Sequence, residues 1–314
     1  MSSQFVDFNA DGHLDFIAAT YEGTVFLVAG SKDGWGQPQH LEDAKGRNIV
    51  ISLYYDMEDN EYKNANRSPK GQKDSGDHCV SATLFDWDDD GDLDLLLGAY
   101  DGALYRQMNE GKPGAPAYTG VNIPVEAGGK PFEMRGGLTA ARLVDWNGDG
   151  LQDLVCGGFK GGVSVLVNKG QRDKPRFGAP KTLIAKAKRN GAPSEGLYVD
   201  PVDYDGDGDL DLLVGGIAQV PSEQTPLSDE EAANLDQWMN KLEKLEAQSI
   251  ALYENLEKAL ANFSKKEKRA ALKEFQSGKA MQMLEDSIAR LYAKIGKLES
   301  APARESGIWL YRRR

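Results

Sequence analysis

Four times along the chain a burst of alternating acidic residues runs straight into an apolar stretch. The stretches are DFIAATYEGTVFLVAG from Asp15, DLLLGAYDGALYRQMN from Asp94, DLVCGGFKGGVSVLVN from Asp153 and DLLVGG from Asp211. Their apolar runs are short and bounded by glycine, which predicts buried strands. Glu22-Gly23 and Asp101-Gly102 predict tight turns into a second strand, TVFLVAG and ALYRQMN. A further apolar run precedes the acidic residues: CVSATLF, LTAARLV and LYVDPV. Outer strands are expected around Gln39–Ala44, Val121–Ala127 and Lys181–Lys186. Each repeat thus reads as strand, acidic loop, strand, hairpin, strand and outer strand. Four strands over about 60 residues make one propeller blade, so the fold class is an all-β propeller with four blades visible.

Residues 218–306 break this pattern inside the fourth repeat. Their composition shifts to Ala, Glu, Lys and Leu. Ser228 to Glu231 after Pro226, and Ser264 to Glu267, have the form of helix-starting capping boxes. Leu235, Trp238, Leu242, Leu245, Ser249, Leu252, Leu256, Ala259 and Phe263 recur at spacings of three and four, as in a heptad seam. Leu284, Ile288, Leu291, Ile295 and Leu298 repeat the pattern, with Gly278 a weak point before them. The segment reads as an inserted antiparallel α-helical hairpin that should project from the propeller. Its two seams satisfy each other or offer an arm for partner contact or oligomerisation, with Trp238, Tyr253 and Tyr292 as candidate contacts. The domains are then blades over 1–217, the hairpin over 218–306 and a closing strand over 307–314, where GIWLYRRR matches GALYRQMN. No outer strand of the fourth repeat is visible, so a fragment of a longer protein or an unusual closure is expected.

The acidic bursts carry the candidate chemistry. Counted from its first Asp, each loop has Asp at position 1, Asp or Asn at 3, Asp at 5, Gly at 6 and Asp at 9, with an aromatic at 2: Phe8, Trp87, Trp146 and Tyr204. Oxygen donors at alternate positions let a tight loop wrap one hard cation, and Gly at 6 permits the sharp turn. Position 7 would offer its carbonyl and leave its side chain free: His13, Asp92, Leu151 and Asp209. An EF-hand would place Glu at position 12 and helices on either side, whereas here position 12 is apolar and strands follow.

Charge and composition narrow the partners. A net charge of −12 argues against nucleic acid and for cations or basic surfaces. No stretch is apolar enough to span a membrane. Met1 is followed by Ser2, Ser3 and Gln4 and then by patterned sequence, which does not read as a signal peptide. Cys79 and Cys156 are far apart and read as buried core residues. No nucleophile elbow, HExxH, phosphate loop or dinucleotide fingerprint occurs. His13 and His40 are scattered, while His78, Arg135 and Glu195 precede inner strands and, with Asp74 and Glu133, could gather near the propeller axis or be solvated. The polar insertion before His78 carries Tyr54, Tyr55 and Tyr62 and is either a binding loop or a solvated one. Asn66 and Asn262 begin sequon-like triplets, the first followed by Pro69.

The four loops, with LLLGAYDG, VCGGFKGG and LLVGG behind them, resemble the FG-GAP/VCBS repeat family, the calcium-binding blades of integrin-α-like β-propellers of bacterial type. The resemblance covers about residues 1–217 and 307–314, and the family's rings are commonly larger than four blades. It implies Ca2+ as cofactor, one per loop and up to four. The implied side-chain ligands are Asp7, Asn9, Asp11 and Asp15; Asp86, Asp88, Asp90 and Asp94; Asp145, Asn147, Asp149 and Asp153; and Asp203, Asp205, Asp207 and Asp211. The position-7 residues His13, Asp92, Leu151 and Asp209 would add carbonyls, leaving Asp89 as solvated surplus. The resemblance also implies an extracellular, periplasmic or cell-surface location. The expected role is a non-catalytic scaffold binding protein or glycan. The alternatives are part of a secreted lyase or hydrolase, or a lectin-like module.

Overall fold

The structure, a computed structural model, describes residues 3–72, 76–112, 114–134, 136–185, 192–220, 227–260, 263–298 and 303–313. The chain divides into two compact units, Met1–Gln219 with Arg304–Arg314, and Val220–Ala303.

The first unit is built from small antiparallel sheets. Ser3–Val6, Asp15–Ala19, Val25–Val28 and Gln39–His40 form the first four-stranded sheet in that order. Cys79–Phe85, Asp94–Ala99, Leu104–Gln107 and Ile123–Pro124 form the second. Thr139–Val144, Asp153–Gly158, Val163–Leu166 and Lys181–Ile184 form the third. Pro193–Val202, Asp211–Val220 and Ala303–Tyr311 make a three-stranded fourth sheet among the described residues. The expected outer strands are present but shorter than read from the sequence, and Lys186 lies outside the described residues. The polar insertion holds a hairpin of its own, Leu53–Asp56 against Glu61–Asn64, with Tyr55 packed edge-on to Tyr62.

The sheets pack face on face in chain order, because each alternates two apolar surfaces. Ile17, Ala19 and Val25 of the first meet Ala82, Leu84, Leu95 and Leu97 of the second. Leu96 and Leu104 on the second sheet's other face meet Ala141, Leu154, Cys156 and Leu166 of the third. Val155, Val163 and Val165 then meet Leu197, Val199, Leu212 and Val214 of the fourth. Glycine allows this spacing. A Cβ on Gly98 would lie 1.9 Å from the Thr139 carbonyl oxygen, and one on Gly157 2.3 Å from that of Leu197. Cys79 and Cys156 are fully buried as expected, and loss of water pushes both thiols up to about 12.

The first strands of all four sheets meet at Arg142. Its Nη2 donates to the Ser3 carbonyl at 2.8 Å and its Nη1 to Thr83 Oγ1 at 3.2 Å, while Nε lies 3.7 Å from Asp200 Oδ1.

The second unit is helical: α1 over Asp229–Ala259, α2 over Lys265–Ser277 and α3 over Lys279–Leu298. Both capping boxes close as read, with Ser228 and Glu231, and Ser264 and Glu267, bonding reciprocally. Gly278 divides the second arm into two helices, its φ of −63° and ψ of 137° being extended rather than helical. The arms run antiparallel: the Tyr292 hydroxyl donates to Glu246, Lys294 lies over Trp238, and Tyr253 meets Phe275. Met281, Leu284, Leu291 and Ile295 are buried against α1, whose seam is half-buried. Phe263, read as part of that seam, is instead exposed. Asn262 lies outside the described residues.

Candidate functional site

The four acidic loops share one hydrogen-bonded shape. The Asp at position 1 caps the turn: Oδ2 of Asp7, Asp86, Asp145 and Asp203 accepts the N–H of Gly12, Gly91, Gly150 and Gly208 at 2.8–3.1 Å. The position-5 carboxylate accepts the N–H of position 7, at His13, Asp92, Leu151 and Asp209. Position 6 is left-handed throughout, with φ of +87°, +90°, +83° and +92°. Position 4 is left-handed too, at Ala10, Asp89, Gly148 and Gly206. In the first two loops this second strained point carries no mark in the sequence, because the residue there is not glycine.

Position 9 pins each loop to its sheet. Asp15, Asp94, Asp153 and Asp211 are all buried. Asp15 accepts the N–H groups of Phe8 and Gly30, and Asp94 those of Trp87 and Asn109, at 2.7–2.9 Å. Asp153 holds Asn168 in the same way. In the fourth repeat the corresponding donor is Arg313, at 2.8 Å and 102 residues away. Ala303–Tyr311 therefore supplies the third strand of the fourth repeat from beyond the helical segment of the chain.

The loops differ in charge. Carboxylate oxygens of Asp86, Asp88 and Asp94 lie within 4.8 Å of one another, as do those of Asp203, Asp205 and Asp207. In the first and third loops an amide intervenes, since Asn9 Nδ2 donates to Asp11 and Asn147 Nδ2 to Asp149. Desolvation, then Asp90 and Asp86, raise the Asp88 carboxyl. Desolvation raises Asp94 to about 6 against the pull of its two amide donors.

Two sequence assignments need correction. Asp92 does not have a free side chain. It is 3% exposed, and neither carboxylate oxygen has a hydrogen-bond partner among the described residues. Burial, followed by Asp90, Asp88 and Asp86, pushes it up to about 6. Asp89 is not surplus, because Arg172 of the next repeat lies 2.7 Å from its Oδ1. A comparable partner reaches the fourth loop, where Arg312 stands 3.4 Å from Asp205.

Do these residues suit a hard cation? The donors are carboxylate, amide and carbonyl oxygens, the set calcium takes. Among the described residues both buried oxygens of Asp92, and the Oδ2 atoms of Asp153 and Asp211, also lack a partner, and a buried polar atom left unpaired is costly. The donor chemistry fits.

A second cluster lies at the other end of the strands. Tyr21, Tyr100 and Phe159 occupy one position in three successive repeats and are exposed. The His78 ring stacks on Tyr100 at 5.1 Å and meets Tyr21 edge-on at 5.8 Å. Its Nδ1 is 3.0 Å from Asp77 Oδ1, while Nε2 is buried without a partner among the described residues. His78 is thus held by its neighbours, and Arg304 pairs with Glu195. Arg135 and Asp74 lie outside the described residues.

No described helix is long and apolar enough to cross a membrane. No curated protein matches the chain. Residues 145–214, spanning the third loop to the second strand of the fourth sheet, match the family model of an FG-GAP-like repeat.

Proposed function

We propose that the chain is a calcium-stabilised, propeller-type binding module of the extracellular or cell-surface kind, acting as a non-catalytic scaffold for protein or glycan. The observation that carries the reading is the likeness of the four loops: one hydrogen-bonded shape, four times, with side-chain oxygens at the same positions. The ion supplies positive charge where each loop gathers carboxylates, and holds together the two strands that the loop joins. Meeting of four first strands at Arg142 supports a radial arrangement of the sheets. The exposed row of Tyr21, Tyr100 and Phe159 supplies flat apolar surface of the kind that binds sugar or protein. The helical unit adds a further contact surface.

The test is metal analysis combined with melting. Protein equilibrated with millimolar calcium and desalted should carry up to four calcium ions per chain, and chelator should lower its melting midpoint. Protein that retains no calcium, and melts at the same temperature in chelator, would overturn the proposal.

A further inference from the structure

The three sheet-to-sheet interfaces repeat one register, and that register leaves two faces over. On the face that each sheet turns to its successor, the third strand opens with one apolar residue: Val25, Leu104, Val163 and Ile308 in the four repeats. The first three are 0%, 1% and 0% exposed, each covered by the following sheet, whereas Ile308 is 77% exposed. The glycine positions agree. The backbone of the next sheet crowds Gly98 and Gly157, but among the described residues the equivalent Gly215 has only the Tyr198 carbonyl, at 3.9 Å. The fourth sheet therefore presents a successor-binding face with none of the described residues seated at its glycine.

The first sheet presents the opposite kind of face. The second, third and fourth sheets turn Leu95, Leu154 and Leu212 toward their predecessors, all buried. The matching residue of the first sheet is Phe16, only half-buried. Phe5 packs on it at 5.2 Å and Trp35 on Phe5 at 5.8 Å, and these two are 58% and 57% exposed. An aromatic cluster of this size on a sheet face is unusual unless something covers it.

We propose that the cover is a second copy of this chain, docked head to tail, with the Phe5–Phe16–Trp35 face of one copy on the Ile308–Gly215 face of the other. The interface continues the register of the three observed within the chain, so its two surfaces are already matched in kind. Made at both ends, it joins two copies in one closed pair of eight stacked sheets, without unpaired faces at either end. This inference needs the observed stacking only and is independent of the calcium reading.

The experiment is sedimentation equilibrium on the full chain in calcium-containing buffer, with Phe5→Asp and Ile308→Asp variants. Both side chains are exposed, so each variant should keep its fold and its circular dichroism spectrum. The wild type should weigh twice its 34.3 kDa chain mass. Each variant alone should be monomeric. An equimolar mixture should recover a 1:1 pair, more weakly, because each variant keeps the face that the other has lost. Monomeric wild type, whether its faces are covered by another part of the same chain or by nothing, would overturn the proposal. So would a dimer that survives both substitutions but is lost on Ile250→Lys in α1, which would put the contact on the helices. A mixture that stays monomeric would also overturn it.

Discussion

Replacing Asp92 by Asn should stabilise the ion-free protein and destabilise the calcium-loaded one. The side chain is buried, its oxygens have no donors among the described residues, and three aspartates lie near it. Its carboxyl titrates near 6 in the folded protein, against an ordinary 3.8. The folded state therefore holds this proton more tightly than the unfolded one. Stability from this group is complete below about pH 4 and is lost as the pH rises through 6. At ~1.4 kcal/mol per unit, the ionised side chain costs the fold about 3 kcal/mol at neutral pH. An amide there carries no charge and can donate to Asp90, although burying it costs part of that gain. The expected net effect is about 1–3 kcal/mol in chelator near neutral pH, or about 2–4 °C in melting midpoint per kcal/mol. In chelator at about pH 4 the variant and the wild type should melt alike. With calcium at neutral pH the sign should reverse, because the ion would then offset a charge that the variant lacks. Melting curves followed by circular dichroism under these three conditions decide the matter. An Asn variant less stable in chelator near neutral pH, or a difference that does not depend on pH, would refute the reasoning.

Three further outcomes follow from the packing. Gly98→Ala should cost about 3 kcal/mol or more, or prevent folding, since its Cβ would enter the Thr139 carbonyl; Gly215→Ala, made in the Phe5→Asp background so that no second copy covers that face, should stay within about 1 kcal/mol by urea denaturation. Asp94→Ala strips the acceptor from the Trp87 and Asn109 N–H groups and should cost about 3 kcal/mol by the same measurement, with no dependence on calcium in its sign. Ala10→Gly should raise stability by up to about 1 kcal/mol, because Ala10 has a φ of +58°; a loss of similar size would show that the left-handed turn carries no strain.

Strand positions and the helical pair were legible because their signals are periodic. An unbroken apolar run bounded by glycine marked Asp94–Ala99 as buried on both faces, and the spacing of Leu284, Leu291 and Ile295 marked one side of α3. Loop positions 1, 3, 5 and 9 were legible because they recur. What escaped notice depends on neighbours that are distant in sequence. Asp92 reads like any loop aspartate until packing removes it from water, and Asp89 finds its charge partner in Arg172 only once the second and third repeats are stacked. Arg142 shows no distinguishing pattern, yet it joins four strands because its position repeats at Thr83 and Asp200. The division of the second helical arm at Gly278 was signalled only by the residue's poor helix propensity.

The bond from Arg313 to Asp211 has a kinetic consequence. In the third repeat the equivalent bond, from Asn168 to Asp153, closes a loop of 15 residues; in the fourth it closes one of 102. For a flexible chain the longer loop costs about 1.7 kcal/mol more in closure entropy. Antiparallel pairing of α1 with α3 shortens that route by returning the chain toward its starting point. The fourth sheet should therefore assemble after the helices and more slowly than the other three, and during synthesis it must wait for residues 303–313. A lesion in the helical core, at Leu291 for example, would be read in refolding as delayed closure of a β-sheet.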